Sequence, residues 1–318
     1  MHKIFYKDRM LIIRGGGLGD FIQTLPAVYI LKNQAQPSKL DLLGTRRFGI
    51  LGENRYYFDK VYDIGEASFT PLFSQDLIPR LALRDYFESV DIVLCYTPDE
   101  QGILRKNLYA LGVKKVIYCP PFRGVGNVVE WLAKPIMELG IINSLDCLPP
   151  PMIFLSKDDE RKALALLFGI EKENVKIAIH PGSGSQKKCW PVENWISFCQ
   201  RIQKMGCRLL LIMGPAEMER KELSEIPADV RIINQDLPSV GAILKLCNLF
   251  CGHDSGITQL AMAVGCPSIA LFGPTDPTIW MYPRLDKRFK ILWNKDSRLT
   301  ISVDEVFNCF LKCLKEGI

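Results

Sequence analysis

Hydrophobic residues fall along this chain in short unbroken runs, and several runs lead through a glycine-rich loop into a helical pattern. The first run is MLIIR at residues 10–14; the loop GGGLGD at 15–20 follows, and apolar residues at helical spacing continue over 21–32. A short apolar run without polar alternation is typical of a strand that is covered on both faces. The pattern predicts a strand, a loop and a helix, with backbone N–H groups pointing at the contents of the loop.

The same order recurs in the second half of the chain. The run 175–179 predicts a strand, and HPGSGS at 180–185 predicts a glycine-rich loop. The following helix is expected to bury Phe198 and Met205 on its inner face, because they stand at helical spacing. Further strands are predicted at 39–43, 90–95, 115–118, 208–213 and 231–234. Strands that alternate with helices in this way favour an α/β fold with mainly parallel sheets.

The stretch FCGHDSGITQLAMAVGCPSIALFGPTDP at 250–277 combines most of these signals. Asp254 and Ser255 suit a helix N-cap, because a short side-chain oxygen accepts an unpaired first-turn N–H, and Gly265 ends the helix. SIALF at 268–272 predicts a buried strand, and the GPTDP after it a rigid loop. A helix N-terminus and such a loop beside strand ends can hold phosphate and ribose. The alternative is a turn, a helix and a turn with ordinary caps.

Three consecutive prolines at 149–151 are the strongest interruption in the chain. They cannot continue a helix, and SKDDE at 156–160 then predicts an N-cap and an acidic first turn. A chain of 318 residues is long enough for two ordinary cores. The sequence therefore predicts two domains, 1–155 and 156–318, and a last helix at about 302–316 that is capped by SVDE at 302–305.

The composition is that of an ordinary globular protein, with 48% apolar residues, 24% charged residues and a net charge of +5. This mildly basic balance fits phosphorylated substrates or an anionic membrane surface, and equally an enzyme without such a partner. No nucleic-acid partner is predicted. Eleven cysteines without a C-x-x-C pair indicate reduced thiols in the cytoplasm. With only three histidines and no D-x-D motif, no metal site is predicted.

The first ten residues, MHKIFYKDRM, lack the apolar core of a signal peptide. No apolar run reaches the roughly 18 residues that a membrane-spanning helix needs. We therefore expect a cytoplasmic protein that is soluble or, at most, peripheral at the membrane.

Three long motifs occur along the chain: LIIRGGGLGDFIQTLPAVYILK at 11–32, IAIHPGSGSQKKCWPVENW at 177–195 and HDSGITQLAMAVGCPSIALFGPTDP at 253–277. Together they resemble glycosyltransferase family 9, the ADP-heptose:lipopolysaccharide heptosyltransferases. The third approximates the family's signature D-[ST]-G-x-x-H-x-A-A-A-x-G-x-P-x-x-x-L-F-G-P-T-x-P, and the departure that matters is Gln259, which stands where the family usually carries histidine. The resemblance spans nearly the whole chain.

The resemblance implies the GT-B architecture, in which two facing, Rossmann-like α/β domains carry mainly parallel sheets. The first domain would bind the acceptor and the second a nucleotide-sugar, with the ligands between them at the carboxyl ends of the strands. The last helix would return toward the first domain.

The resemblance also implies roles for single residues. Asp20, in G-L-G-D, would be the general base toward an acceptor hydroxyl; the alternative is that it only caps a helix. Lys188, before C-W-P, would stabilise the departing diphosphate, and the alternative is a solvated surface lysine. Glu217, preferred to Glu219, would accept the ribose hydroxyls. The expected donor-binding residues are Ser183, Gly184, Lys188, Glu217, Asp254, Ser255, Gly256 and Gln259, and the expected acceptor or phosphate loop contains Gly16, Gly17 and Gly19.

The implied activity is inverting transfer of a heptose-like sugar from a nucleotide diphosphate, ADP-heptose by the resemblance, to a lipopolysaccharide-core or other glycan acceptor. Neither a cofactor nor a metal is expected. NAD is disfavoured, because the spacing G-G-G-L-G-D differs from G-x-G-x-x-G and the second strand leads into Gly44-Thr45 instead of an acidic residue. Two alternatives stay open: a GT-B sugar-nucleotide epimerase, and a nucleotide-sugar-binding protein without transfer activity.

Other residues carry weaker indications. Trp190 and His253 are expected to be structural. Arginines near the connecting segments of the first domain are candidates for contacts with a phosphorylated or acidic acceptor, although most are expected to be solvated. These arginines are Arg46, Arg47, Arg55, Arg80, Arg84 and Arg123.

Overall fold

The computed structural model describes residues 7–75, 81–170 and 175–316. The chain divides into two compact units, Met1–Pro151 and Met152–Ile318, so the division follows directly after the run of prolines. Each unit is built on one parallel sheet with helices in the connections.

The first unit contains five strands, and every neighbouring pair is parallel. The strands are β1 (Arg9–Arg14), β2 (Lys39–Gly44), β3 (Lys60–Asp63), β4 (Ile92–Cys95) and β5 (Lys115–Tyr118). The helices are α1 (Leu18–Ile30), α2 (Arg46–Gly49), α3 (Leu81–Glu88), α4 (Ile103–Ala110), α5 (Val128–Leu132) and α6 (Lys134–Glu138). The order in the sheet is β3-β2-β1-β4-β5. The chain moves outward from β1 and then crosses to β4, so a topological switch point lies between the carboxyl ends of β1 and β4.

The second unit repeats this plan with six parallel strands. The strands are β6 (Lys176–His180), β7 (Arg208–Met213), β8 (Val230–Ile233), β9 (Leu249–His253), β10 (Ser268–Phe272) and β11 (Phe289–Trp293). The helices are α7 (Lys157–Leu166), α8 (Val192–Lys204), α9 (Pro215–Met218), α10 (Leu237–Lys245), α11 (Gly256–Ala263), α12 (Pro277–Trp280) and α13 (Val303–Lys315). The order β11-β10-β9-β6-β7-β8 puts the switch point between β6 and β9.

Aromatic side chains from α8 and α13 close one face of the second sheet. Trp195 and Phe198 of α8 and Phe310 of α13 are fully buried, and Phe198 meets Phe310 edge-to-face with ring centroids 6.0 Å apart. Met205, which the helical spacing placed on the same inner face, is 46% exposed. That prediction was wrong because α8 ends at Lys204, so Met205 is the C-cap residue and lies beyond the last turn.

Local capping chemistry explains where α7 and α13 begin. Ser156 and Ser302 start α7 and α13, and each side chain accepts the N–H of the residue three positions later, as the sequence predicted. α13 packs on α8 within its own unit, and its expected return toward the first domain stays a prediction. The sequence analysis missed the edge strands β3 and β11, whose residues are mostly half-buried.

All eleven cysteines are free thiols. Within the described ranges, no helix combines the length and the hydrophobicity that crossing a membrane requires. The cytoplasmic location and the peripheral membrane association stay predictions.

Candidate active site

Asp20 lies in the first turn of α1, directly after the loop that leaves β1. The Gly17 N–H donates to its Oδ2 at 2.8 Å, and Arg14 donates from Nη2 to its Oδ1 at 3.1 Å. The side chain is still 43% exposed. Each carboxylate oxygen therefore keeps a lone pair for another donor, so Asp20 caps its helix and can also accept a proton from a bound hydroxyl.

The glycines of this loop allow the carboxylate to approach the backbone. Gly16 has φ of +95°, a region that side chains disfavour, and a Cβ there would stand 2.7 Å from Oδ2 of Asp20. Gly17 supplies the amide that Asp20 accepts, and Gly19 is already part of α1. The position of Asp20 thus requires glycine at Gly16, whereas a Cβ at Gly15 or Gly17 would make only ordinary contacts.

Two hydrogen bonds tie this loop to the segment after β4. The Gly15 N–H donates to Thr97 Oγ1 at 3.3 Å, and Arg14 Nη1 donates to the Tyr96 carbonyl at 3.4 Å. Since β1 and β4 flank the switch point, Asp20 lies at the edge of the first sheet where an α/β unit binds its ligand.

Asp254, the residue after β9, is the centre of a network in the second unit. Its Oδ2 accepts a hydrogen bond from Lys188 Nζ at 2.7 Å and another from Thr275 Oγ1 at 2.7 Å. Ser183 Oγ donates to the backbone carbonyl of Asp254 at 2.8 Å. The loops after β6, β9 and β10 therefore meet at one carboxylate. Lys188 is 28% exposed and retains donors for an anion.

The N-terminus of α11 adjoins this network. Ser255 is its N-cap, and its Oγ accepts the Thr258 N–H at 3.3 Å. Gly256 is the first helical residue, and Gly184, in the loop after β6, is exposed with open space where a Cβ would stand. A cation beside the free N–H groups of a helix terminus suits a phosphate group.

Glu217 lies in α9, after the neighbouring strand β7. Its Oε2 accepts the Gly214 N–H at 2.8 Å, and its Oε1 is 3.7 Å from His180 Nε2. Burial alone would raise the pKa of Glu217, but His180 and the Gly214 N–H lower it to about 2, so the carboxylate is ionised at neutral pH. A Cβ at Gly182 would stand 1.9 Å from Oε1, so glycine is required there. Glu219, by contrast, is exposed.

His253 is fully buried at the end of β9 and joins two loops. Its Nε2 accepts the Trp190 N–H at 2.8 Å, and its Nδ1 lies 3.3 Å from the Gly182 carbonyl, so the ring is the neutral tautomer with hydrogen on Nδ1. Burial, together with the nearby His180, lowers the pKa of His253 to about 3. The expectation that His253 and Trp190 are structural is confirmed, since Trp190 is 1% exposed.

Gln259 stands apart from the Asp254 network. It is 6% exposed, and its Nε2 donates to the Trp280 carbonyl at 3.3 Å and lies 3.1 Å from Sδ of Met281. A donor-binding role for this side chain stays a prediction.

Three of the six arginines singled out from the sequence have protein partners. Arg46 pairs with Glu53, Arg84 pairs with Glu88, and Arg55 donates to the Ile50 carbonyl. Arg47 and Arg123 are exposed, and Arg80 lies outside the described residues. Throughout the described chain, no three His, Cys, Asp or Glu side chains are placed to share a metal ion.

Sequence reasoning missed three contributors to these sites. Arg14, Thr275 and His180 each follow or end a strand, where a polar residue after an apolar run is the available signal. Their partners are distant in the chain or depend on backbone geometry: Thr275 reaches Asp254, and His180 reaches Glu217. Nothing in the local pattern identifies those partners.

The chain is similar to known proteins in both sequence and fold. Residues 148–306, half of the chain, match glycosyltransferase family 9 (heptosyltransferase). Lipopolysaccharide heptosyltransferase 3 of Escherichia coli (strain K12) is 23% identical over 343 residues, which cover 94% of this chain and 96% of that protein.

Two solved structures resemble the whole chain. A glycosyl transferase family 9 protein from Veillonella parvula has a TM-score of 0.80 at 18% identity, over 99% of both chains. The ADP-heptose lps heptosyltransferase II of E. coli has a TM-score of 0.76 at 15% identity, over 98% of this chain and 100% of that one. The predicted GT-B fold class is confirmed.

The neutral His253 predicts a pH dependence of stability. The unfolded chain, with an ordinary imidazole pKa near 6.5, binds a proton that the folded protein excludes down to about pH 3. The free energy of unfolding should therefore fall as the pH decreases from 6.5, by up to about 1.4 kcal/mol per pH unit. Urea denaturation between pH 7 and pH 5 measures this slope, above the range in which Glu217 contributes. In the variant His253→Gln, the free energy of unfolding should change less steeply with pH, by up to about 1.4 kcal/mol per pH unit, because one proton fewer is taken up on unfolding. Equal slopes in the two proteins would contradict a neutral native imidazole.

Proposed function

Since the chain belongs to glycosyltransferase family 9, it is a glycosyltransferase, and we propose that it transfers a heptose-like sugar from ADP-heptose to a lipopolysaccharide-core acceptor with inversion. The observation that carries this proposal is the meeting of Lys188, Asp254 and the N-terminus of α11 at the switch point of the second sheet. The names of the similar proteins, which include an ADP-heptose lps heptosyltransferase, support the choice of donor and acceptor.

The second unit would bind the donor. Its diphosphate is proposed to lie against the N–H groups of Ser255 and Gly256 at the start of α11 and to accept hydrogen bonds from Lys188. The ribose hydroxyls would donate to Glu217, which is held ionised and faces the loop after β6.

Lys188 would also assist departure of the diphosphate. In the structure Asp254 neutralises this lysine at 2.7 Å, and the bond from Thr275 fixes the position of the carboxylate. As the bond between the anomeric carbon and the phosphate oxygen breaks, negative charge accumulates on the diphosphate, and a positioned cation stabilises that charge. We propose that Lys188 and the helix terminus supply this stabilisation without a metal ion.

Asp20 would be the base. An acceptor hydroxyl oxygen attacks the anomeric carbon, its proton passes to the carboxylate of Asp20, and ADP leaves with the electron pair of the broken bond. A single displacement of this kind inverts the anomeric configuration. The exposed carboxylate, with a lone pair left on each oxygen, supports this role.

Substitution of Lys188 should weaken donor binding. Lys188→Ala removes a charged donor and leaves Asp254 without its counter-ion beside the diphosphate, so the affinity for ADP should fall by roughly 10- to 100-fold. Lys187→Ala is the matched control, because Lys187 belongs to the same short helical turn and is exposed. Calorimetric titration with ADP measures both variants. Equal affinities for ADP in the two variants would show that Lys188 does not contribute to binding of the diphosphate.

Substitution of Asp20 separates its two roles. Asp20→Asn preserves the shape and the cap, because asparagine caps about as well as aspartate, but it removes the proton acceptor. Turnover should drop by roughly 10²- to 10⁴-fold, with the melting temperature and the affinity for ADP nearly unchanged. Asp236→Asn is the matched control, since Asp236 caps α10 through the Ser239 N–H. A folded, ADP-binding Asp20→Asn enzyme with full turnover would exclude Asp20 as the base.

A further inference from the structure

A cavity of about 420 Å³ opens at the carboxyl ends of β4 and β5 in the first unit. It is lined by Asp99, Glu100, Arg105, Tyr118, Arg123 and two prolines. Thr97, which accepts the Gly15 N–H, precedes Asp99 by two residues, and two residues span at most about 7 Å. The cavity therefore adjoins the glycine loop that carries Asp20.

One wall of the cavity is held rigidly by a buried carboxylate. The side chain of Asp99 is 4% exposed; its Oδ2 accepts Arg105 Nε at 3.0 Å, and its Oδ1 accepts the Leu104 N–H at 2.9 Å. The Asp99 N–H donates to Tyr118 Oη at 3.1 Å, and the Arg105 guanidinium lies 4.5 Å from the centre of the Tyr118 ring. Asp99, Arg105 and Tyr118 thus fix one another in position.

Several polar groups of the cavity are left without a protein partner. These groups are the hydroxyl hydrogen of Tyr118, Nη1 of Arg105, the carboxylate of Glu100 and the guanidinium of Arg123, none of which bonds to a described residue. The cavity thus offers both donors and acceptors beside the apolar surfaces of the prolines.

The charges of the cavity balance, because Arg105 and Arg123 face Asp99 and Glu100. A phosphate or carboxylate ligand would call for an excess of cations. A hydroxyl both donates and accepts, and the C–H face of a sugar ring packs on apolar surface, so a neutral sugar uses every group present. We propose that this cavity binds an uncharged sugar unit of the acceptor glycan, next to the unit whose hydroxyl reaches Asp20. The inference rests on the proposed function for the acceptor being a glycan.

The test uses the full chain and a core oligosaccharide released from lipopolysaccharide by deacylation, before and after treatment with phosphatase. Calorimetry without a donor measures binding, and an assay with ADP-heptose measures the acceptor KM. Arg123→Gln and Tyr118→Phe should each raise the dissociation constant and the acceptor KM by about 5- to 20-fold, with kcat and the affinity for ADP unchanged. Removal of phosphate should change binding by less than about two-fold.

Matched variants control for unrelated effects. Arg84→Gln removes an exposed arginine from α3, outside the cavity lining. Tyr109→Phe removes a hydroxyl that likewise accepts a backbone N–H, that of Val116. Both should leave binding of the oligosaccharide unchanged.

The sign of the effect at Glu100 discriminates between ligand classes. Glu100→Gln should weaken the binding of a neutral sugar, because the amide accepts hydrogen bonds from hydroxyl groups less strongly than a carboxylate does. The same change would tighten an anionic ligand by removing a repulsion. Tighter binding of the oligosaccharide to Glu100→Gln would overturn the inference. Loss of binding after phosphatase treatment, or no binding of either oligosaccharide, would also overturn it. Failure to transfer sugar from ADP-heptose would refute the proposed function; transfer with acceptor KM values unchanged in every cavity variant would refute only the inference.

Discussion

The second unit depends on a buried imidazole that must stay neutral. His253 accepts the Trp190 N–H and donates to the Gly182 carbonyl, across 63 and 71 residues of sequence. Protonation would remove the acceptor at Nε2 and leave the Trp190 amide buried without a partner, which is costly in a dry interior. The loop that carries Ser183 and Lys188 runs between these two anchor points. The neutral tautomer of His253 therefore helps to hold both residues beside Asp254.

The two units hold the carboxylate at the centre of each candidate site in different ways. In the first, Gly16 lets the Asp20 carboxylate approach its own loop, so Asp20 is held by neighbours in the chain. In the second, Asp254 gathers Lys188, Thr275 and Ser183 from loops after different strands. Both arrangements lie at a point where the strand order reverses, because only there do adjacent strand ends leave a crevice for side chains.

The parts of the fold that could be predicted from the sequence are those that depend on residues adjacent in the chain. Apart from β9, short apolar runs identified the central strands within about two residues, and serine caps marked α7 and α13, because both signals depend on adjacent residues. Of the four edge strands, β5 and β8 were predicted, whereas β3 and β11 were missed, because β3 has only two consecutive apolar residues and Lys290 interrupts the apolar residues of β11. Asp20 and Lys188 were selected through family resemblance, whereas the contacts of Thr275 and His180 require three-dimensional proximity that no local pattern contains.

The most direct test of the account is an NMR analysis of the products formed from ADP-heptose and a deacylated lipopolysaccharide-core oligosaccharide. The account predicts one ADP for each new glycosidic bond, an anomeric configuration opposite to that of the donor, and no reaction of the donor when the oligosaccharide is omitted. An isomerised nucleotide-sugar formed without an acceptor, or a new linkage with the donor's own configuration, would contradict it.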